Sequence, residues 1–379
     1  MLTRQGCQQR QTRLLQYMHD QQIDIALLSD PCEIYYFSGV WLPGYYPAWT
    51  SFPGLFVIFA NGTSWLFAHT DEGEALASER HVYEWNLLYT THPDPARRLS
   101  VLFEARLRGM AHIKRVGWQA ETLSHDIARK VQAQLAPDEW IALDDALQAM
   151  QARKDADEIA CIRESARINL AGIDAARQVI APGVNELDVL AAGQRGAMRA
   201  AGRVVRHVGD YACGVMGGAA RDRQIESGEL YILDTQTLHQ GYWSDLARVF
   251  PVDGTLTAIQ QEVYDHVAAI LREMETLLKP GVHSSDVTQH IDRQLRQHPL
   301  LQAGLIHHGG HGTGLRAHEA YPDVNKERGA VLEVGNVICV EPGGYTAQAR
   351  AGVRLENTFL ITADGCEVLS EFGLAVGER

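Results

Sequence analysis

The chain has 379 residues, 46% of them hydrophobic and 21% charged, with a formal net charge of −13 at pH 7. The length fits one small and one large domain, and the composition is that of an ordinary folded protein. The acidic balance argues against a surface built to coat nucleic acid or an anionic membrane.

Taken along the chain, Leu14 and Met18 mark an amphipathic first helix. The first sixteen residues lack an apolar core of signal-peptide length, and no run is apolar enough to span a bilayer. The expectation is therefore a cytoplasmic protein with no membrane partner. Ile23–Leu28 and Gly54–Ala60 read as strands, and Asn61–Gly62 as a turn into Ser64–Ala68. Between the first two strands, Trp41–Phe52 carries five aromatics in twelve residues, broken by Pro43, Gly44 and Pro47. Such a segment is a loop, and aromatics this dense usually cover something. Thr122–Leu135 reads as a further helix. The first 150 residues thus form an α/β unit with no charged constellation suited to catalysis.

From about Gln151 the pattern changes. Asp155–Ile180 has helical spacing and stops at Pro182–Gly183, and a second helix begins near Asn185, a plausible N-cap. The same order returns later: Ile259–Leu278, a break at Pro280–Gly281–Val282, and a restart at Ser284 or Ser285. Pro-Gly-Val occurs at both breaks, and acid-bearing apolar strands follow each helix pair. The chain therefore holds a faint internal repeat, which predicts two similar halves facing each other.

The acids on those strands carry the chemistry. Leu230–Asp234 and Tyr242–Arg248 flank the hairpin tip Leu238–Gly241. A turn centred between His239 and Gln240 would set Asp234 directly opposite Asp245, with Cβ atoms ~5 Å apart. Two carboxylates that close repel by roughly 4 kcal/mol at 4 Å and an effective dielectric of 20. Divalent cations relieve that repulsion, and carboxylates are hard ligands suited to them. Glu341 ends the apolar run Val337–Val340, and Glu356 lies within Val353–Ile361, so a second pair could sit on adjacent strands. His311 in Gly309–Gly314 is flanked by glycines, so backbone can approach whatever the imidazole binds. His318 follows seven residues later. His307 and His308 read as supporting or structural. The six cysteines form no Cys-x-x-Cys pair, which excludes a thiolate zinc site of common spacing, and Cys339 reads as a small hydrophobe in an apolar strand.

With these motifs in order, the chain resembles the pita-bread metallohydrolases, the group of prolidase, aminopeptidase P, methionine aminopeptidase and creatinase. The resemblance is carried by Asp234, Gly241-Tyr-Trp-Ser-Asp245-Leu-Ala-Arg248, His311-Gly-Thr-Gly, His318-Glu319, Val340-Glu341-Pro-Gly-Gly-Tyr345 and Gly352-Val-Arg-Leu-Glu356. It implies a creatinase-type N-terminal α/β domain over residues 1–150 and a pita-bread catalytic domain of pseudo-twofold halves over 151–379. It also implies two divalent metal ions (manganese, zinc, cobalt or iron) held by Asp234, Asp245, His311, Glu341 and Glu356. Glu341 would serve as general base, His318 would stabilise the oxyanion, and Arg354 would clamp a substrate carboxylate. The implied reaction is hydrolysis of an amide C–N bond in an Xaa-Pro dipeptide or a small carboxylate-bearing molecule.

A small-molecule amidohydrolase of ectoine-hydrolase or creatinase type, and a non-catalytic binding protein, are the alternatives. A homodimer is implied, with Trp41, Tyr45 and Tyr46 reaching the partner's active site. Two positions depart from the pattern. Peptidases of the group carry a histidine roughly seventeen residues before the first metal aspartate, where this chain has Gly217–Gly218, and Asp-x-Gly is replaced by Asp234-Thr-Gln236. His207 is the histidine a rearranged loop could bring in. Both departures predict a poor general peptidase.

Overall fold

A computed structural model describes residues 1–42, 52–71, 73–87, 90–91, 94–214 and 216–374. The chain divides into two compact units, Met1–Met150 and Gln151–Arg379. In the first unit a six-stranded sheet runs in the order Glu79–Val82, Ser64–Ala68, Leu55–Phe59, Ile25–Leu28, Arg115–Trp118, Glu139–Ala142. Its centre, Ile25–Leu28, is buried throughout, as its continuous apolar run requires. The first helix, Arg4–Asp20, is capped by the Thr3 hydroxyl accepting from Gly6 N and buries Leu14 and Met18. The expected helix from Thr122 starts later, at His125, because the Ser124 side chain accepts from Ile127 N and sets the N-cap there. Trp41 packs edge-on against Tyr35 within this unit, whereas Tyr45 and Tyr46 lie outside the described residues.

The second unit carries the repeat. Helices Ala156–Arg177 and Glu186–Ala201 are joined through Pro182–Gly183–Val184, and Ala258–Leu277 and Ser284–Leu295 through Pro280–Gly281–Val282. The two joints are built alike. Gly183 and Gly281 adopt φ of 85° and 90°, which a side chain would resist. Gly183 N donates to Ile225 O and Gly281 N to Leu332 O, and single antiparallel bridges follow at Asn185–Gln224 and His283–Val331. Recurrence of the tripeptide therefore marks recurrence of one structural device.

Each helix pair packs on a sheet. The first sheet has Leu230–His239 at its centre, between Arg206–Cys213 and Tyr242–Pro251. The second has the order Glu319–Val324, Gly310–Gly312, Val337–Val340, Asn357–Ile361, Cys366–Val368. Beyond Val340–Asn357 the hairpin continues in register as Gly343–Thr346 paired with Ala351–Arg354. The interruption falls at Glu341–Pro342 and Leu355–Glu356, bridged by Leu355 N donating to Pro342 O. Leu230, Ile232, Val263, Leu271, Val287, Ile338, Val353 and Phe359 belong to one buried cluster shared by both halves. Among the described residues no helix is long and apolar enough to cross a membrane.

Candidate metal centre

The first hairpin turns at Gln240–Gly241, not between His239 and Gln240. His239 pairs with Tyr242, and the two turn residues have φ of 49° and 84°. Two positive φ values define the mirror-image turn that matches strand twist. Consequently Asp245 lies opposite Gln236 and Asp234 opposite Ala247, so the two aspartates are diagonal neighbours on one sheet face. The shift corrects the expected register without moving either acid to the other face. It also brings Gln236 between them, and its Nε2 donates to Asp245 Oδ2 at 2.6 Å.

Glu341 and Glu356 sit where the second hairpin's ladder is interrupted, so both carboxylates turn out of the regular pleat. Two contacts seat this hairpin against the first: Glu356 N donates to Ala247 O at 3.1 Å, and Thr358 Oγ1 donates to Asp245 O at 2.7 Å. Buried Arg248 ties the same seam. Its guanidinium donates to the carbonyls of Ala247, Glu356 and Phe372 and to Asn357 Oδ1. Arg248 closes the motif Gly241–Arg248, whose residues give no sign of this task.

These elements frame a cavity of about 380 Å³ lined by Asp234, Asp245, His311, His318, Glu341 and Glu356, with Asp210, Gln236, His308 and Arg354 completing the wall. His311 Nε2 lies 3.6 Å from Asp245 Oδ2, 3.8 Å from Glu341 Oε1 and 3.9 Å from Glu356 Oε1. Its Nδ1 is 3.0 Å from Gly312 O, so that nitrogen carries the proton and the Nε2 lone pair faces the carboxylates. Burial drives the His311 pKa down to about 3, which keeps the ring neutral. His318 stacks on it with ring centroids 3.8 Å apart, and His318 Nε2 is 3.3 Å from Gln236 Nε2. Its neighbour Glu319 is anchored by a buried ion pair to Lys154, which fixes the segment. His308 Nδ1 lies 3.3 Å from Glu341 Oε1, while His307 bonds to Tyr345 Oη.

Burial, reinforced by mutual repulsion, pushes the carboxyl pKa values of Asp245 and Glu356 far up. Burial, with help from Asp234, lifts Glu341 to about 8. Such a cluster is costly unless neutralised. Asp245 Oδ1 and Glu356 Oε1 are buried and find no hydrogen-bond partner among the described residues. Unpartnered carboxylate oxygens beside a neutral imidazole suit divalent cations. Asp245, His311, Glu356 and Cys339 bring potential ligand atoms within 4.8 Å of one another. Burial raises the Cys339 thiol pKa, and Cys339 pairs across the strands with His311, flooring the site.

The remaining expected residues are placed less simply. Arg354 lies in the wall, but its Nη2 already binds Asp210 and stands 2.8 Å from Asp234 Oδ2. His207 is on the opposite face of the sheet. Thr237 Oγ1 donates to Asn169 and so accepts from His207 Nδ1, leaving His207 Nε2 to accept from Tyr211 Oη at 2.5 Å. The expected rearrangement toward the cavity would have to break both bonds and flip a strand residue, which explains why His207 is not in the wall. Asp210 is a wall residue that no sequence motif marked. An acid within Val208–Cys213, one strand from Asp234, was its available signal.

Fold and site together define a metal-dependent hydrolase built from two related halves. Residues 160–363 match the model of Metallopeptidase family M24, and residues 10–152 that of the Creatinase/Prolidase N-terminal domain. The chain belongs to metallopeptidase family M24. It is 26% identical to a Xaa-Pro dipeptidase of Pyrococcus furiosus, over 96% of this chain and 98% of the relative. Its fold is similar to that of the prolidase from Pyrococcus horikoshii, with TM-score 0.79 and 23% identity over 97% of this chain and 99% of the other. The X-Pro aminopeptidase from Thermotoga maritima gives TM-score 0.77 and 22% identity over 97% and 99%. The pita-bread architecture and creatinase-type first domain expected from sequence are borne out.

Proposed function

We propose that the chain hydrolyses the amide bond of an Xaa-Pro-type dipeptide, with two divalent cations held by Asp234, Asp245, His311, Glu341 and Glu356. Such an ion pair supplies a water ionised at neutral pH and polarises the scissile carbonyl. The carrying observation is the convergence of unpartnered, buried Asp245 and Glu356 oxygens on the neutral Nε2 of His311. Glu341, in the cavity wall beside His308 and His311, accepts the proton of the attacking water and can return it to the leaving nitrogen. Neutral His318, in the wall beside His311, donates to the oxyanion. Arg354 fixes Asp234 by their ion pair. Manganese, zinc, cobalt or iron fits this donor set.

A second reading, a small-molecule amidohydrolase, is favoured by one observation. Gly217 brings no side chain to the cavity, and His207 faces away from it. Reconstitution with manganese and with zinc, followed by a hydrolysis screen, separates the two. Xaa-Pro turnover above that of cyclic or N-acyl amides supports the first reading, and the reverse order supports the second. A cytoplasmic homodimer is proposed as well, and full activity of a monomer at micromolar concentration contradicts a site shared between subunits.

A further inference from the structure

Arg354 is the only cationic side chain in the cavity wall formed by the described residues, and it is already engaged. Its Nη2 binds Asp210 Oδ2 and Asp234 Oδ2, and its side chain is 12% exposed. Asp210 projects from Arg206–Cys213, directly across the ladder from Asp234, and so onto the same sheet face. The following segment is shaped around this pair. Tyr211 N donates to Gly218 O, folding the chain back over the strand. At Gly217 a Cβ would stand 2.9 Å from Asp210 Oδ2 and 3.4 Å from Arg354 Nη2. A side chain at position 217 would press on the Asp210–Arg354 pair, and the φ of 73° there disfavours one in any case.

Charge makes the consequence specific. The cavity wall carries Asp210, Asp234, Asp245, Glu341 and Glu356 against Arg354, while His311 is neutral. Five carboxylates and one guanidinium leave four negative charges, which two divalent cations cancel. Without Asp210, Arg354 would keep only its contact with Asp234, and its remaining donors could attract a substrate carboxylate. With Asp210 the guanidinium has a tethered partner, and an incoming carboxylate must displace a group held permanently in place.

Building on the dipeptidase reading above, we propose that Asp210 is a specificity-determining residue. It keeps Arg354 neutralised, so that a free carboxylate at this wall adds nothing to substrate affinity. Free dipeptide acids are cleaved no better than their amides.

The test uses the full-length, metal-loaded protein and the matched pair Ala-Pro and Ala-Pro-amide. The wild type should show an acid-to-amide ratio of kcat/KM at or below about one. By calorimetry it should bind proline no more tightly than prolinamide. Asp210→Asn, which keeps the shape and removes the charge, should raise the ratio about tenfold, through KM with kcat little changed. It should also tighten proline binding by a similar factor, and adding Arg354→Gln should abolish that gain. Asp210→Ser serves if the asparagine variant does not fold, and the wild-type measurements decide even without either. A wild-type preference of tenfold or more for the free acid, or a ratio unmoved in a folded Asp210 variant, overturns the proposal while leaving the dipeptidase reading intact. Absence of turnover on both substrates refutes the dipeptidase reading, and this inference with it.

Discussion

His207 shows how a residue's face decides its role. Its imidazole sits between the first sheet and helix Ala156–Arg177, where Gly172 leaves room for it, and burial lowers its pKa to about 4. An unfolded histidine titrates near 6.5, so between these values the unfolded chain takes up a proton that the folded chain refuses. Stability contributed by the neutral ring is thus present above about pH 6.5 and is lost as pH falls toward 4. Thermal melting of wild type and His207→Gln should diverge only in that window, with the wild type the more acid-sensitive. Turnover at pH 8 should be largely retained in the variant, and its abolition would show that His207 reaches the substrate. Parity along the strand is what the sequence left unresolved. Once Asp234 faces the cavity, cross-strand pairing puts Asp210 beside it and His207 beneath. The pairing depends on where the strand begins, which no residue in Arg203–Arg206 announces. The four acids at the centre were legible because apolar strands rarely carry charge without a purpose, and His311 because glycines flank it.

At the scale of elements, the two Pro-Gly-Val joints were readable, since breakers recur at fixed distances from helical runs. The hairpin register was readable only to within one residue, because Gln-Gly is a weaker turn signal than Asn-Gly. Replacing Gly241, at φ 84°, by alanine should cost about 1 kcal/mol, measured by urea unfolding. The seam between hairpins is held by Arg248, whose fork reaches five acceptors at once, Gly373 O included. Lysine offers a single point of donation. Arg248→Lys should therefore lose roughly 3 kcal/mol of stability and loosen Glu356 with it, lowering metal affinity. Unchanged unfolding and metal affinity would show that the seam is held elsewhere. Arg248 was visible in the sequence only as part of a motif, because its acceptors are carbonyls of distant segments, which side-chain patterns do not report.

Across the whole molecule, folding assembles carboxylates that repel one another, and bound cations offset that cost. In the metal-free protein Glu341 holds its proton up to about pH 8, whereas an unfolded glutamate releases it near 4.5. Folded carboxyls thus bind more protons than unfolded ones between these values, so the chelated protein should lose stability as pH rises from about 4.5 to 8. Cation binding near pH 7 should release protons, seen as buffer-dependent heats in calorimetry. Loaded protein should melt well above chelated protein, since each site filled at a hundred times its Kd adds about 2.7 kcal/mol. The most direct test of the account is metal analysis of reconstituted wild type and Asp245→Ala, with hydrolysis of an Xaa-Pro dipeptide followed on the same samples. Two divalent ions per chain with turnover in the wild type, and at most one ion with almost none in the variant, is the expected result. A wild type that retains no metal after reconstitution, or an Asp245→Ala protein with two ions and full turnover, would contradict it.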